Sequence, residues 1–325
     1  MKRIVGLVVV ALVIAIVGLA ARLTLDPARK TYSSIADEGA PAHAQEQEPT
    51  RDPEYPDTAL EAQLQQMTSR MPARCGVMAR NLRTGAIARV NADDPIPLMS
   101  VVKLPVAIVI LEGVDQGRWT LDTPITLLPH DMHPRGVLGD RYPRGGGPVS
   151  LYKLLRLMLL FSDNSAADAL MRIAGSPQAV TEWLVRHGIH DLRVDRTERD
   201  LGDDWYGLTP GADTLGSAEE IRERRAQVPG AVHDSAAAAM LRDPRDTGSA
   251  AACVTVLERL WRGHLLSPAM TDTLKSLLSR CKTAPDRLPG MLPKGTPVAR
   301  KTGTGGMTAG VTVAVNDVGV IRLPN

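Results

Sequence analysis

The chain has 325 residues, enough for one large or two modest domains with a sizeable core. Hydrophobic residues are 44% and charged residues 23%, which excludes a mostly disordered or fibrous chain. The net charge is only +2 and aromatics are 3%, so neither a basic field nor a set of stacking platforms points to nucleic acid.

Lys2 and Arg3 precede an uncharged apolar run, residues 4–21, closed by Arg22. Residues 1–32 read as an export signal or an uncleaved membrane anchor. Either places the rest of the chain outside the cytoplasm, in the periplasm or on the outer face of the cytoplasmic membrane. Residues 33–57 mix Pro41, Pro49, Pro53 and Pro56 with acidic side chains and read as a disordered linker. A globular unit then spans 58–325. Its three cysteines, Cys75, Cys253 and Cys281, include no CxxC pair and allow one bridge at most. They read as small buried hydrophobes.

Residues 58–71 suit a helix. Residues 75–82 and 87–91 suit two strands around Arg83-Thr84-Gly85. Residues 100–114 are apolar on nearly all sides, the mark of a core helix. Further helices are expected over 150–160, 164–174, 176–187, 247–262 and 268–279, and strands over 298–304 and 318–323. Strands at both ends and helices between them imply an α+β fold: an antiparallel sheet built from both chain ends, flanking helices and a mostly helical lobe.

The sequence holds no GxSxG elbow, HExxH, Walker loop or GxGxxG. The HxxH pairs His130/His133 and His187/His190 have no third ligand at a suitable spacing and read as surface or loop histidines. No metal or cofactor is expected. Gly145-Gly146-Gly147 reads as a plain loop.

S-x-x-K occurs at Ser100/Lys103, Ser150/Lys153 and Ser279/Lys282. Ser150 reads as a helix N-cap with a solvated lysine, and Ser279 as a solvated helix end. Ser100 opens the most apolar helix, and Lys103 lies one turn later on the same face. A lysine there is desolvated or paired, and can take a proton from a neighbouring hydroxyl. The Ser100 amide, at a helix start, is free to face a developing oxyanion. Two rarer tripeptides follow: Ser162-Asp163-Asn164 between two helices, and Lys301-Thr302-Gly303 on a late strand.

In this order the three motifs make the chain resemble a class A serine β-lactamase over residues 58–325. Arg196-Thr197-Glu198, with Leu201 following, matches the family's deacylation loop. Gly202 stands where the family usually has the asparagine that helps hold the hydrolytic water. The resemblance implies that Ser100 attacks the lactam carbonyl while Lys103, or Glu198 through water, takes its proton. Ser162 passes a proton to the leaving nitrogen. Asn164 holds the substrate amide and touches Lys103, and Lys301 and Thr302 bind its carboxylate. The amides of Ser100 and Thr304 form the oxyanion hole, and Glu198 activates water. It also implies a small-molecule β-lactam substrate, a monomer, and a pair between Arg196 and Asp246.

The chain departs from the family in two further places. Residues 203–241 contain an insertion with its own capping box, Ser217 with Glu220, before a helix over 221–228. Trp205 and Tyr206 at its start either anchor this flap or pack over the pocket mouth. At the C-terminus, the family's last strand and helix are missing after Pro324-Asn325. That implies an unpaired slot between residues 75–82 and 318–323, and a truncated or poorly folded product. The competing readings are a penicillin-binding carboxypeptidase, a membrane-anchored penicillin sensor that stays acylated, and an inactive homologue.

Overall fold

The computed structural model describes residues 6–15, 54–209, 216–290, 292–308 and 310–323. Most of the expected linker, through residue 53, lies outside the described residues.

The first elements are β1 (Gly6–Ala15), β2 (Tyr55–Pro56), α1 (Thr58–Thr68), β3 (Arg74–Asn81), β4 (Ala86–Val90) and β5 (Ile96–Pro97). The helical lobe contains α2 (Lys103–Asp115), β6 (Pro124–Leu127), α3 (Val137–Arg141), β7 (Gly146–Ser150), α4 (Leu151–Leu160), α5 (Asn164–Ala174) and α6 (Pro177–Arg186). After it come α7 (Glu198–Tyr206), α8 (Ala218–Ala226), α9 (Gly230–Ala239), β8 (Thr247–Gly248), α10 (Ala250–Arg262) and α11 (Pro268–Leu278). The chain closes with β9 (Val298–Thr304), β10 (Met307–Thr308), β11 (Val311–Thr312) and β12 (Val315–Leu323). The fold is α+β, as expected.

Most helix starts follow from side-chain caps: Asp163, Ser176, Thr197, Ser217, Ser249 and Ser267 each accept a hydrogen bond from an amide of the first turn. The helix expected from residue 247 begins three residues later. Thr247 and Gly248 pair instead with Pro97 and Ile96, and Ser249 caps. The glycine run expected as a loop enters β7, where Gly146 and Gly147 take φ of 117° and 71°.

The main sheet runs in the order β2-β4-β3-β1-β12-β9. Its centre corrects the expectation of an unpaired slot. β1 lies antiparallel to both neighbours, with Val8 opposite Asn81 and Ile321, and Ile14 opposite Cys75 and Val315. Two facing rows of amides and carbonyls need a partner strand, and a valine-rich apolar run suits a strand at the centre of a sheet. Part of the run read as an anchor is therefore a strand here, because an apolar run fits a sheet centre as well as a bilayer. Among the described residues no helix is long and apolar enough to cross a membrane.

α2 is the hub of the core. Leu104, Val106, Ile108, Ile110 and Leu111 are all buried, and the helix touches α4, α5, α6 and α11. This rigid helix carries Lys103 at its first position. The three cysteines are free: Cys75 and Cys253 are buried and Cys281 is half-buried.

Candidate active site

Ser100 does not start an α-helix directly. It lies in a 3-10 turn, Met99–Val102, that leads into α2. Lys103 is completely buried, and its Nζ is surrounded by oxygen. Asn164 Oδ1 lies at 2.6 Å, the Ser162 carbonyl at 2.8 Å, Ser100 Oγ at 3.0 Å and Ser162 Oγ at 3.3 Å. Glu198 Oε1 is a fifth neighbour, at 3.0 Å. A lysine nitrogen carries at most three protons, fewer than these five neighbouring oxygens.

Ser162 reaches this point through a left-handed backbone, φ 59°. Asp163 fixes the turn: its carboxylate accepts from Ala166 N at 2.9 Å and Leu138 N at 3.1 Å. Lys301 arrives from β9 and donates to Ser162 Oγ at 3.0 Å and to the Thr302 carbonyl at 2.6 Å. Burial, and then the charge of Lys103, bring the Lys301 ammonium down to about 7. Gly303 explains the glycine of its tripeptide. A Cβ there would run into the Leu98 carbonyl and Val101, so only glycine lets β9 pass so close to the Ser100 turn. Asn316, buried on β12, donates to the carbonyls of Pro97 at 2.8 Å and Leu98 at 2.9 Å and pins that turn from below.

The alternation of β9 aims Thr302 and Thr304 at a loop after α11. Thr302 Oγ1 meets Thr283 Oγ1 at 2.5 Å. Arg287 donates to Thr304 Oγ1 at 2.7 Å, to the Gly303 carbonyl at 3.0 Å and to the Asn316 carbonyl at 2.8 Å. Sequence reading missed this guanidinium. It is a lone arginine in an irregular segment, and no spacing marks it.

Glu198 is the first residue of α7, with Thr197 as its cap. It is buried, and its Oε1 accepts no well-directed hydrogen bond among the described residues. A second missed residue holds it. Asp168, one turn beyond Asn164 on α5, accepts from the amides of Glu198 at 2.7 Å and Arg199 at 3.0 Å. His133 Nε2 lies 2.7 Å from the same carboxylate. His133 lies in a loop, as expected, but it is buried rather than at the surface, with its ring against Asp168. Among the described residues no group of three or more His, Cys, Asp or Glu side chains could hold a metal.

Arg196 and Asp246 pair as expected, Nε to Oδ2 at 2.6 Å. Asp246 also accepts from the amides of Asp195 at 2.7 Å and Arg196 at 3.2 Å, and Arg196 further meets Asp204 at 2.6 Å and Asp243 at 2.9 Å. Burial pulls the guanidinium down, but this carboxylate ring outweighs it and holds Arg196 above its ordinary range. The inserted segment meets α7 from the side. The Arg225 guanidinium lies over Gly202, where any side chain would collide with it, and donates to Asp203 at 3.1 Å. The anchoring reading of the aromatic pair holds for Tyr206, which stacks on His233 of α9, while Trp205 packs on Gly306 beyond β9.

The other two S-x-x-K serines have only structural roles. Ser150 caps α4 by accepting from Lys153 N at 3.3 Å, and Ser279 ends α11.

Residues 59–325 match the model of the β-lactamase enzyme family. The β-lactamase VEB-1 of Pseudomonas aeruginosa is 27% identical over 255 residues, covering 78% of this chain and 74% of that protein. A solved ancestral class A β-lactamase superposes with a TM-score of 0.61 at 27% identity, over 81% of this chain and 90% of that one. The TLA-3 extended-spectrum β-lactamase gives a TM-score of 0.65 at 24% identity, over 82% of this chain and 86% of that one.

Proposed function

The chain belongs to the β-lactamase enzyme family, with the class A fold, and from that premise we propose that it hydrolyses β-lactams through an acyl-enzyme on Ser100. The observation that carries the proposal is the Lys103 Nζ, buried and within 3.0 Å of both the Ser100 hydroxyl and the Glu198 carboxylate. In the first half-reaction Ser100 Oγ bonds to the lactam carbonyl carbon. Its proton passes to Lys103 or, through water, to Glu198. Collapse of the tetrahedral adduct breaks the ring C–N bond, and the nitrogen takes a proton from Ser162, which recovers the proton released by Ser100 by way of Lys103, the neighbour of Ser100 Oγ, Glu198 and Ser162 Oγ. In the second, Glu198 takes a proton from water, the water oxygen bonds to the acyl carbon, the bond from that carbon to Ser100 Oγ breaks, and Glu198 returns the proton to Ser100 Oγ. The burial of Glu198, whose Oε1 faces the Lys103 Nζ at 3.0 Å without a well-directed hydrogen bond, supports this role. The amides of Ser100 and Thr304 face the oxyanion. Lys301 and Thr302, joined by Arg287, take the substrate carboxylate.

Export is part of this reading and rests on Lys2, Arg3 and the apolar run. With β1 in the sheet, an exported chain keeps that run uncleaved, and the mass of the exported protein tests this. The activity is tested by hydrolysis of a penicillin and a cephalosporin, and by the mass of the protein after penicillin treatment. The parent gains one acyl adduct, and Ser100→Ala gains none. An adduct that persists in Ser100→Ala overturns the assignment of the nucleophile.

A further inference from the structure

Glu198 and Trp205 both lie on α7, seven residues and two turns apart on one face. At the far end the six-membered ring of Trp205 rests on the α-carbon of Gly306, so closely that a Cβ there would collide with it. Gly306 stands two residues beyond Thr304. Its carbonyl accepts from Val313 N at 3.0 Å, and Gly305 N donates to the Ala314 carbonyl at 2.9 Å. Met99, Val313 and Ala314 form a small apolar cluster on which Trp205 and Leu241 pack. Met99 immediately precedes Ser100 and holds φ 50°, a conformation that a methionine adopts only where its surroundings impose it.

One indole therefore joins the helix that bears the base, the strand end beyond the oxyanion amide, and the cluster that holds the residue before the nucleophile. The inserted segment backs it. His233 of α9 meets the indole edge-on at 5.5 Å, and Asp234 accepts from Thr308 of β10 at 3.4 Å. By contrast, Lys103, Ser162 and Asn164 are held by α2 and the α4–α5 turn.

We propose that Trp205 is a positioning residue for the second half-reaction: it sets Glu198 in register with the acyl carbonyl by wedging α7 against Gly306. This rests on the proposed function and explains the insertion as the wedge's support. Displacing a reacting group by about 1 Å can cost about 100-fold in rate. Trp205→Ala in the full chain is expected to slow deacylation by about 10–100-fold while leaving acylation within about threefold. Trp205→Phe keeps a ring against Gly306 and should recover most of the loss. Gly306→Ala pushes on the same contact from the other side and should also slow deacylation.

The test is quenched-flow mass spectrometry with a penicillin, reading the two half-reactions separately, beside urea unfolding of each variant. A merely structural tryptophan would lower stability and leave the ratio of the two rates alone. If Trp205→Ala does not fold, Trp205→Leu and Gly306→Ala decide. Deacylation at the parent's rate in these folded variants, or an equal loss of both steps, overturns the inference and leaves the proposed function standing. A parent chain that takes no acyl group overturns both.

Discussion

The two halves of the site meet where Lys103 lies 3.0 Å from Glu198, yet they are held by different forces. The Ser100–Lys103 half stands on α2 and the α4–α5 turn, elements buried on nearly every side. Moving it means breaking close-packed apolar contacts. The Glu198 half stands on a loop and a short helix fixed by charges: the Arg196 ring with Asp204, Asp243 and Asp246, and the two amides on Asp168. Buried ion pairs add modest net stability but are costly to break singly. On the proposed mechanism, the Ser100–Lys103 half should therefore survive changes that loosen the Glu198 half, and the two half-reactions should come apart under mutation.

The sharpest separation is expected from Glu198→Ala. A base that activates water contributes about 10²–10⁴-fold, so steady-state turnover should fall by that order while the acyl adduct still forms. Adduct mass and turnover on one preparation check it. Equal loss of both steps would assign Glu198 to acylation as well. Asp246→Ala attacks the same half from its base. Breaking one partner of a buried pair costs about 3–5 kcal/mol. Urea unfolding should show that loss, and the acyl-enzyme should live longer than in the parent.

A pH profile probes the junction. Lys301 is brought down to about 7 by burial and by Lys103, so in the free protein it is charged below that pH and neutral above it. With an anionic lactam, kcat/KM should fall as pH rises through about 7, mainly through KM. A bound carboxylate favours the charged lysine, so kcat should hold to higher pH. For stability the sign is the reverse. The unfolded chain keeps the proton up to the ordinary lysine range, so this lysine opposes folding below about 7, and the penalty fades as pH rises above it. The smallest effect is expected at the decoy motif: Ser150→Ala removes an N-cap and should cost about 0.5–2 kcal/mol with hydrolysis unchanged.

How far each half was legible follows the same division. Ser100, Lys103, Ser162, Asn164, Lys301 and Thr302 announce themselves because their chemistry is tied to short local spacings, and the structure brings them together. Glu198 was legible only with its loop. Asp168, His133 and Arg287 were not legible at all, since each acts on a backbone or side chain far away in sequence. His133 was read as surface or loop because an HxxH pair carries no information on what lies above it, and a carboxylate from α5 lies there.

The amino-acid order by itself determined the α+β pattern, the capped helices, the buried helix behind Ser100 and most of the reactive groups. These depend on hydrophobic period, on side chains that cap their own helices and on motifs a few residues long. Only the tertiary structure decided the rest: which strand fills the sheet between β3 and β12, where the insertion sits, and what backs Glu198. An apolar run reads alike for a bilayer and a sheet centre, and its partner is set by which backbone edges remain unpaired. The place of Trp205 depends equally on long-range contact. Nothing near residue 205 foretells a glycine at 306, and the close approach exists only once α7 and β9 are packed around the turn that carries Ser100.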